Sequence, residues 1–116
     1  MKTAVIGSRG ISNYEIVEDV LKKYTISSII SGGATGVDAL AEQYATKNNI
    51  PLTIFKPDWK QFKKAAGPIR NRVIVDESEQ VVAFWDGKSK GTLDSITYAK
   101  KIGKTVYITE INNENS

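Results

Sequence analysis

The stretch Ser31-Gly32-Gly33-Ala34-Thr35-Gly36-Val37-Asp38 decides the fold, because it joins a β-rich run to a helical one. Residues 26–30 form the β-rich run, and residues 35–48 carry apolar side chains at helical spacing. The paired glycines let backbone N–H groups approach a phosphate at a helix N-terminus, although their spacing fits neither a P-loop nor the dinucleotide-binding fingerprint. The stretch predicts an anion cradle or a tight turn, in which Asp38 caps backbone amides or binds a ribose hydroxyl.

The alternation of strand and helix continues along the 116 residues. Strands are predicted at residues 3–6, 26–30, 52–55, 80–85 and 105–109, and helices at 13–24, 35–48, 69–77 and 92–102, the third opening at Pro68 and the fourth capped by Thr92. Residues 56–67 are predicted as the longest loop. The pattern favours an α/β fold: a single Rossmann-like three-layer domain with a five-stranded, mostly parallel sheet flanked by helices. The domain is expected to span residues 1–109, followed by a polar tail at 110–116.

Cysteine and histidine are both absent. The chain therefore has no disulfide, no thiolate nucleophile, no imidazole base and no zinc site of nitrogen and sulfur ligands. We expect neither a metal nor a bound cofactor. The apolar runs are strand-sized, so no membrane span is expected. Because Met1-Lys2-Thr3 leads directly into the first strand without a signal peptide, the expected location is the cytoplasm.

Positive charge is concentrated in one segment of the chain. The net charge is only +3. Residues 56–72 hold six lysines and arginines against one acid, Asp58, which gives this segment +5 and leaves −2 for the rest. Such local basicity indicates either an anionic ligand or a solvated lysine-rich loop.

Four loops follow predicted strands: Gly7-Ser8-Arg9, residues 31–38, Pro57-Asp58-Trp59 and residues 86–92. The carboxyl ends of parallel strands share one edge of a sheet, where ligands of open α/β proteins bind. We therefore predict a binding site at this edge. The candidate ligand-binding residues are Gly7, Ser8, Arg9, Ser31, Gly32, Gly33, Ala34, Thr35, Asp38, Asp58, Trp59, Arg70, Asn71, Trp85, Asp86, Ser89, Gly91 and Thr92.

Side-chain chemistry assigns roles to several of these candidates. Arg9 and Arg70 suit phosphate, because a guanidinium binds it in a bidentate manner. Trp59 and Trp85 each lie near the end of a predicted strand, where they either stack on a base or belong to the core. Asp86 is a candidate for binding ribose.

Five motifs occur in order along the chain: Gly7-Ser8-Arg9, residues 31–38, Pro57-Asp58-Trp59, residues 66–71 and residues 83–92. Together they resemble the SLOG superfamily, in particular its YspA and YpsA-related branch. This Rossmann-like superfamily includes the DNA-processing protein DprA, also called Smf, and the LOG phosphoribohydrolases. The resemblance implies a nucleotide-like ligand at the strand edge, NAD-derived or cyclic in some members, with Arg70 beside it.

One departure from the superfamily pattern bears on catalysis. The hydrolases resemble Pro-Gly-Gly-x-Gly-Thr-x-x-Glu at the fourth loop, whereas Gly91-Thr92 is followed here by Ser95 at the position of the catalytic glutamate. Asp94 comes one residue earlier, and a helix turns about 100° per residue, so Asp94 is expected to point elsewhere. Asp94 and Asp86 are the catalytic candidates if the protein is a hydrolase.

The expected function is the binding of a nucleotide or nucleotide-derived small molecule, as a sensor or ligand-binding module. Two alternatives stay open. One is an N-glycosidic hydrolase of the phosphoribohydrolase type, and the other is a single-stranded nucleic-acid binder that uses the basic segment, which the localised charge does not favour. We also expect a homodimer or a higher homo-oligomer, because a thin domain with exposed helix faces often self-associates.

Overall fold

The computed structural model describes residues 1–111. Its elements are, in chain order, β1 Lys2–Gly7, α1 Tyr14–Leu21, β2 Ser28–Ser31, α2 Val37–Lys47, β3 Leu52–Ile54, α3 Trp59–Phe62, a 3₁₀ turn Lys63–Ala65, α4 Ala66–Asp76, β4 Gln80–Trp85, α5 Lys90–Lys101 and β5 Thr105–Glu110. The predicted α/β class is therefore confirmed.

The five strands form one sheet in the order β3-β2-β1-β4-β5, and every neighbouring pair is parallel. The chain first moves outward from β1 to β3, and then crosses back to place β4 on the other side of β1. β1 and β4 therefore form the topological switch point of the sheet. The loops that follow these two strands lead away from each other, which leaves a crevice at the carboxyl ends.

Two helix layers cover the sheet, as predicted. Val5 of β1 belongs to the apolar cluster formed with α1 and α2, whereas Ala4 and Ile6 belong to the cluster formed with α4 and α5. Successive side chains of a strand point to opposite faces, so β1 is buried on both of them. With the faces of its central strands covered, the sheet offers its carboxyl edge to a ligand.

The segment at residues 56–67, predicted as a loop, contains α3 and the 3₁₀ turn instead. Asp58 caps α3 by accepting a hydrogen bond from the Gln61 backbone N–H at 3.1 Å. One turn of helix is too short to show a hydrophobic period, so the pattern missed it. α4 begins at Ala66, two residues before Pro68. Pro68 is tolerated there because the first N–H groups of a helix have no partner within the helix.

Two further boundaries differ from the prediction. Ser89, not Thr92, caps α5, since its hydroxyl accepts a hydrogen bond from the Thr92 N–H at 3.3 Å. β5 continues to Glu110, and Ile111 is buried in the core, so ordered structure extends into the predicted tail, whose residues 112–116 lie outside the described part. No helix within residues 1–111 has the length and apolar character needed to cross a membrane.

Candidate functional site

A cleft of about 460 Å³ opens at the switch point between β1 and β4. Its walls come from the loop after β1, the loop before α2, the middle of α4 and the beginning of α5. The predicted candidates that line it are Gly7, Ser8, Arg9, Ala34, Asp38, Arg70, Asn71, Asp86, Ser89, Gly91 and Thr92. The structure thus brings most of the sequence candidates into one cavity.

Two glycines allow the segments around the cleft to approach closely. Gly36, which precedes α2, has a φ of +75°, and a Cβ there would lie 2.4 Å from the carbonyl oxygen of Arg9. A Cβ on Gly7 would lie 2.5 Å from the carbonyl oxygen of Phe84. No larger residue fits these gaps without a backbone shift, so the glycines set the distance between the loops after β1 and β2 and between β1 and β4.

Arg70 reaches from α4 to the loop after β2. Its Nη1 donates a hydrogen bond to the Gly32 carbonyl oxygen at 2.7 Å and a longer one to the Phe55 carbonyl oxygen at 3.4 Å. Its Nε donates to Oδ1 of Asn71 at 2.8 Å. These bonds fix the guanidinium in place. Nη2 donates no hydrogen bond to any residue within 1–111, so it can serve a ligand.

Arg9 is the second cation of the cleft. Its side chain is exposed and has no hydrogen bond or ion pair with the residues that the structure describes. Burial lowers the pKa of the Arg70 guanidinium, nearby Asp38 opposes that effect, and the charge of Arg9 lowers the pKa further. The two guanidinium charges therefore act on each other, and an anion between them would relieve their repulsion.

Asp38 lies in the first turn of α2, beside Arg70. Its Oδ2 accepts a hydrogen bond from the Ala34 backbone N–H at 3.1 Å, so the predicted capping of a backbone amide is present. Burial raises the pKa of the Asp38 carboxyl, although the Ala34 bond and the charge of Arg70 oppose the shift. The carboxyl also lines the cleft, where it can accept a hydrogen bond from a ligand.

Asp86 organises the turn after β4. Its Oδ1 accepts hydrogen bonds from the backbone N–H groups of Lys88 and Ser89, both at 2.8 Å. Its own N–H donates to Oγ of Ser8 at 3.2 Å. The bonds from Ser89 and Lys88 lower the pKa of the Asp86 carboxyl. Because a stabilised carboxylate is a weak proton acceptor, these contacts favour a role in the turn and in ligand binding over one as a general base.

The beginning of α5 presents Gly91, Thr92 and Ser95 to the cleft. Ser95 is buried, and its hydroxyl donates to the Gly91 carbonyl oxygen at 3.2 Å. Asp94 is exposed and does not line the cleft. A hydroxyl group therefore lies where the resemblance to the hydrolases puts the catalytic glutamate.

A second cavity, which we call the outer hollow, has a volume of about 470 Å³ and adjoins the cleft beside the loops after β2 and β3. The predicted candidates Gly32, Gly33, Thr35 and Trp59 line it, together with Lys56 and Pro57. Arg9, Ala34 and Arg70 line both cavities. The outer hollow and the cleft are thus neighbours that share a cationic wall.

The remaining candidates do not line either cavity. Ser31 is fully buried in β2. Asp58 caps α3 and lines a smaller hollow of about 150 Å³. Trp85 donates its indole N–H to the Ser89 carbonyl oxygen at 3.0 Å and packs against the α4 and α5 cluster, which agrees with the core alternative for this residue.

Some lining residues were not among the candidates. Gly10 and Ser95 line the cleft, and Lys56 lines the outer hollow. Gly10 adjoins a predicted loop motif and Lys56 belongs to the basic segment, so the sequence contained a signal for both. Ser95 stands at the position of the hydrolases' catalytic glutamate, so the resemblance to the superfamily was the signal for it. Residues 1–111 contain no group of three or more acidic residues placed to hold a metal ion.

Comparison with known protein families identifies the chain. The family model described as the YspA, cpYpsA-related SLOG family matches residues 1–62. The chain belongs to this family. The resemblance to the SLOG superfamily and to its YpsA-related branch is thereby confirmed. No curated protein matches the chain.

Membership of the SLOG family indicates a nucleotide-related ligand that is bound or processed. The matched part of this SLOG chain includes the loops after β1, β2 and β3, and hence Arg9, Gly32 and Trp59. Arg70 and Asp86 lie beyond the match. The hydrogen bond from Arg70 to the Gly32 carbonyl oxygen joins the matched segment to the segment beyond it. The cleft is therefore built from both segments.

Proposed function

We propose that this SLOG protein binds a nucleotide or a nucleotide-derived small molecule in the cleft, as a sensor or ligand-binding module. The observation that carries the proposal is the pair formed by Arg9 and Arg70, which come from distant parts of the chain and line one cavity at the switch point. Hydrogen bonds from a guanidinium to phosphate are charge-assisted and stronger than neutral ones. The phosphate of the ligand lies between these two arginines.

The rest of the cleft suits a ribose. Asp38 and Asp86 supply carboxylate oxygens, and Ser89 and Thr92 supply hydroxyl groups. Carboxylates that accept hydrogen bonds from ribose hydroxyls are a recurrent feature of nucleotide sites at this edge of open α/β sheets. The lining therefore supports a nucleotide over a simple anion.

Replacement of Arg9 by glutamine tests the proposal with little risk to folding, because the Arg9 side chain is exposed and unpaired within the described residues. We expect the affinity for the best-bound member of a nucleotide panel to fall about 10- to 150-fold, the loss of one charge-assisted hydrogen-bonding partner. Isothermal titration calorimetry against mono- and dinucleotides of the four common bases gives the affinities. Thermal unfolding should leave the midpoint of the variant near that of the wild type.

The matched control is Arg72→Gln. Arg72 is also exposed, but it belongs to α4, lies over the Tyr98 ring at 4.9 Å and lines neither the cleft nor the outer hollow. Equal affinity losses in the two variants would show only a general charge effect and would contradict the proposed site. Release of free base from the panel would assign hydrolysis instead of binding alone.

A further inference from the structure

The cleft and the outer hollow share one wall, formed by Arg9, Ala34 and Arg70. Each has a volume, about 460 Å³ and about 470 Å³, within the range of roughly 300–1,000 Å³ that is usual for a small-molecule pocket. The phosphate site of the proposed function therefore lies at the boundary between two pockets of similar size.

This position restricts the chemistry of the ligand. The phosphate of a mononucleotide is at one end of the molecule, so a phosphate at the boundary leaves one of the two pockets empty. A phosphodiester or diphosphate that links two nucleosides extends into both pockets. We infer that the outer hollow is a second subsite and that the ligand is a phosphate-bridged dinucleotide, an inference that rests on the proposed function.

The lining of the outer hollow suits an aromatic base. Trp59 is 53% exposed, although a large aromatic side chain is costly to leave in water. A Cβ built on Gly67 would lie 3.7 Å from Cη2 of Trp59, so the tip of the ring lies beside the beginning of α4. Lys56 and Arg9 supply positive charge beside it. Stacking between a base and an exposed aromatic ring contributes about 1–3 kcal/mol.

The two pockets differ in the chemistry that they offer. The carboxylates of Asp38 and Asp86 line the cleft and not the outer hollow, whereas Trp59 lines only the outer hollow. Gly33, at a φ of +73°, leaves the outer hollow without a side chain where β2 ends. The cleft thus holds the ribose of one nucleotide, and the outer hollow stacks the base of the other.

The test compares mononucleotides with phosphodiester- and diphosphate-linked dinucleotides that carry adenine, guanine, cytosine or uracil. Calorimetric titration of the wild type should show that the preferred dinucleotide binds at least about tenfold more tightly than either of its halves, from the added stacking. In the Trp59→Ala variant, the affinity for that dinucleotide should fall about 5- to 150-fold. The affinity for the mononucleotide should stay within about twofold of the wild-type value.

Two variants complete the design. Trp59→Phe keeps an aromatic ring and should retain most of the dinucleotide affinity. Phe62→Ala removes an exposed aromatic side chain from the same helix, one that lines the smaller hollow, and should leave every affinity unchanged. Circular dichroism confirms that each variant is folded.

The outcomes separate the inference from the proposed function. If no member of the panel binds the wild type, the proposed function fails and the second subsite with it. If mononucleotides bind as tightly as dinucleotides, or if Trp59→Ala weakens both equally, the second subsite is wrong and the proposed function stands. Tighter binding of longer oligonucleotides, with a steep dependence on salt, would show a single-stranded nucleic-acid site instead.

Discussion

Replacement of Gly36 by alanine is expected to destabilise the protein by about 2–6 kcal/mol. The positive φ of Gly36 is a strained conformation for any residue with a Cβ, at a cost of about 1–3 kcal/mol. The new methyl group would also lie 2.4 Å from the Arg9 carbonyl oxygen, a backbone atom that cannot move aside by rotation. Relief of such overpacking costs about 1–3 kcal/mol more. Chemical denaturation of the variant and the wild type measures the difference.

Gly103→Ala is the matched control. Gly103 also has a positive φ, +83°, but nothing lies within 4 Å of a Cβ built on it. This variant should therefore show only the conformational cost, about 1–2 kcal/mol. If the two variants are destabilised equally, the loops after β1 and β2 do not approach as closely as the contact between Gly36 and Arg9 requires.

Replacement of Arg70 by glutamine should have the largest effect on ligand binding. Arg70 provides an N–H group to the ligand and also holds the Gly32 carbonyl oxygen at 2.7 Å. We expect an affinity loss of about 100-fold or more, since both the charge and the position of the loop are affected. The free energy of unfolding should fall by about 1–3 kcal/mol, because a partly buried carbonyl loses its partner. Calorimetry and chemical denaturation give the two values separately.

A double-mutant cycle separates the direct contribution of Arg70 from its structural one. If Arg9 and Arg70 hold the same phosphate, the loss of binding free energy in the double variant should differ from the sum of the two single losses. A difference of about 0.5–3 kcal/mol is usual for residues that share a partner. Arg70→Lys should recover part of the affinity, because it restores the charge without the bidentate geometry. Strict additivity, or wild-type binding by Arg70→Gln, would contradict a shared phosphate site.

The sequence was enough to predict that the site lies at the carboxyl edge of the sheet, because the features that indicate this position are local. Each strand run ends in a loop of small or charged residues, and parallel strands bring such loops to one edge. The guanidinium groups of Arg9 and Arg70 match phosphate chemically, and both residues line the cleft. The alternation of strands and helices was enough to predict the two helix layers and the parallel sheet.

The details that depend on contacts between distant residues did not follow from the pattern. The bond from Arg70 to Gly32 spans 38 residues and exists only because α4 docks beside the loop after β2. The contact of Gly36 with Arg9 likewise depends on how two loops meet. The exposure of Trp59 beside the shared wall depends on α3, a single turn of helix that has no periodic signal.

The proposed site requires that an anionic group bind between Arg9 and Arg70 at the carboxyl edge of β1. Titration of the protein with inorganic pyrophosphate, followed by the backbone amide signals in nuclear magnetic resonance spectra, tests it most directly. We expect saturable shifts at Arg9, Gly10 and Ala34, with smaller shifts at Gly91. Shifts confined to the lysines of residues 60–64, or no saturable shift, would contradict it.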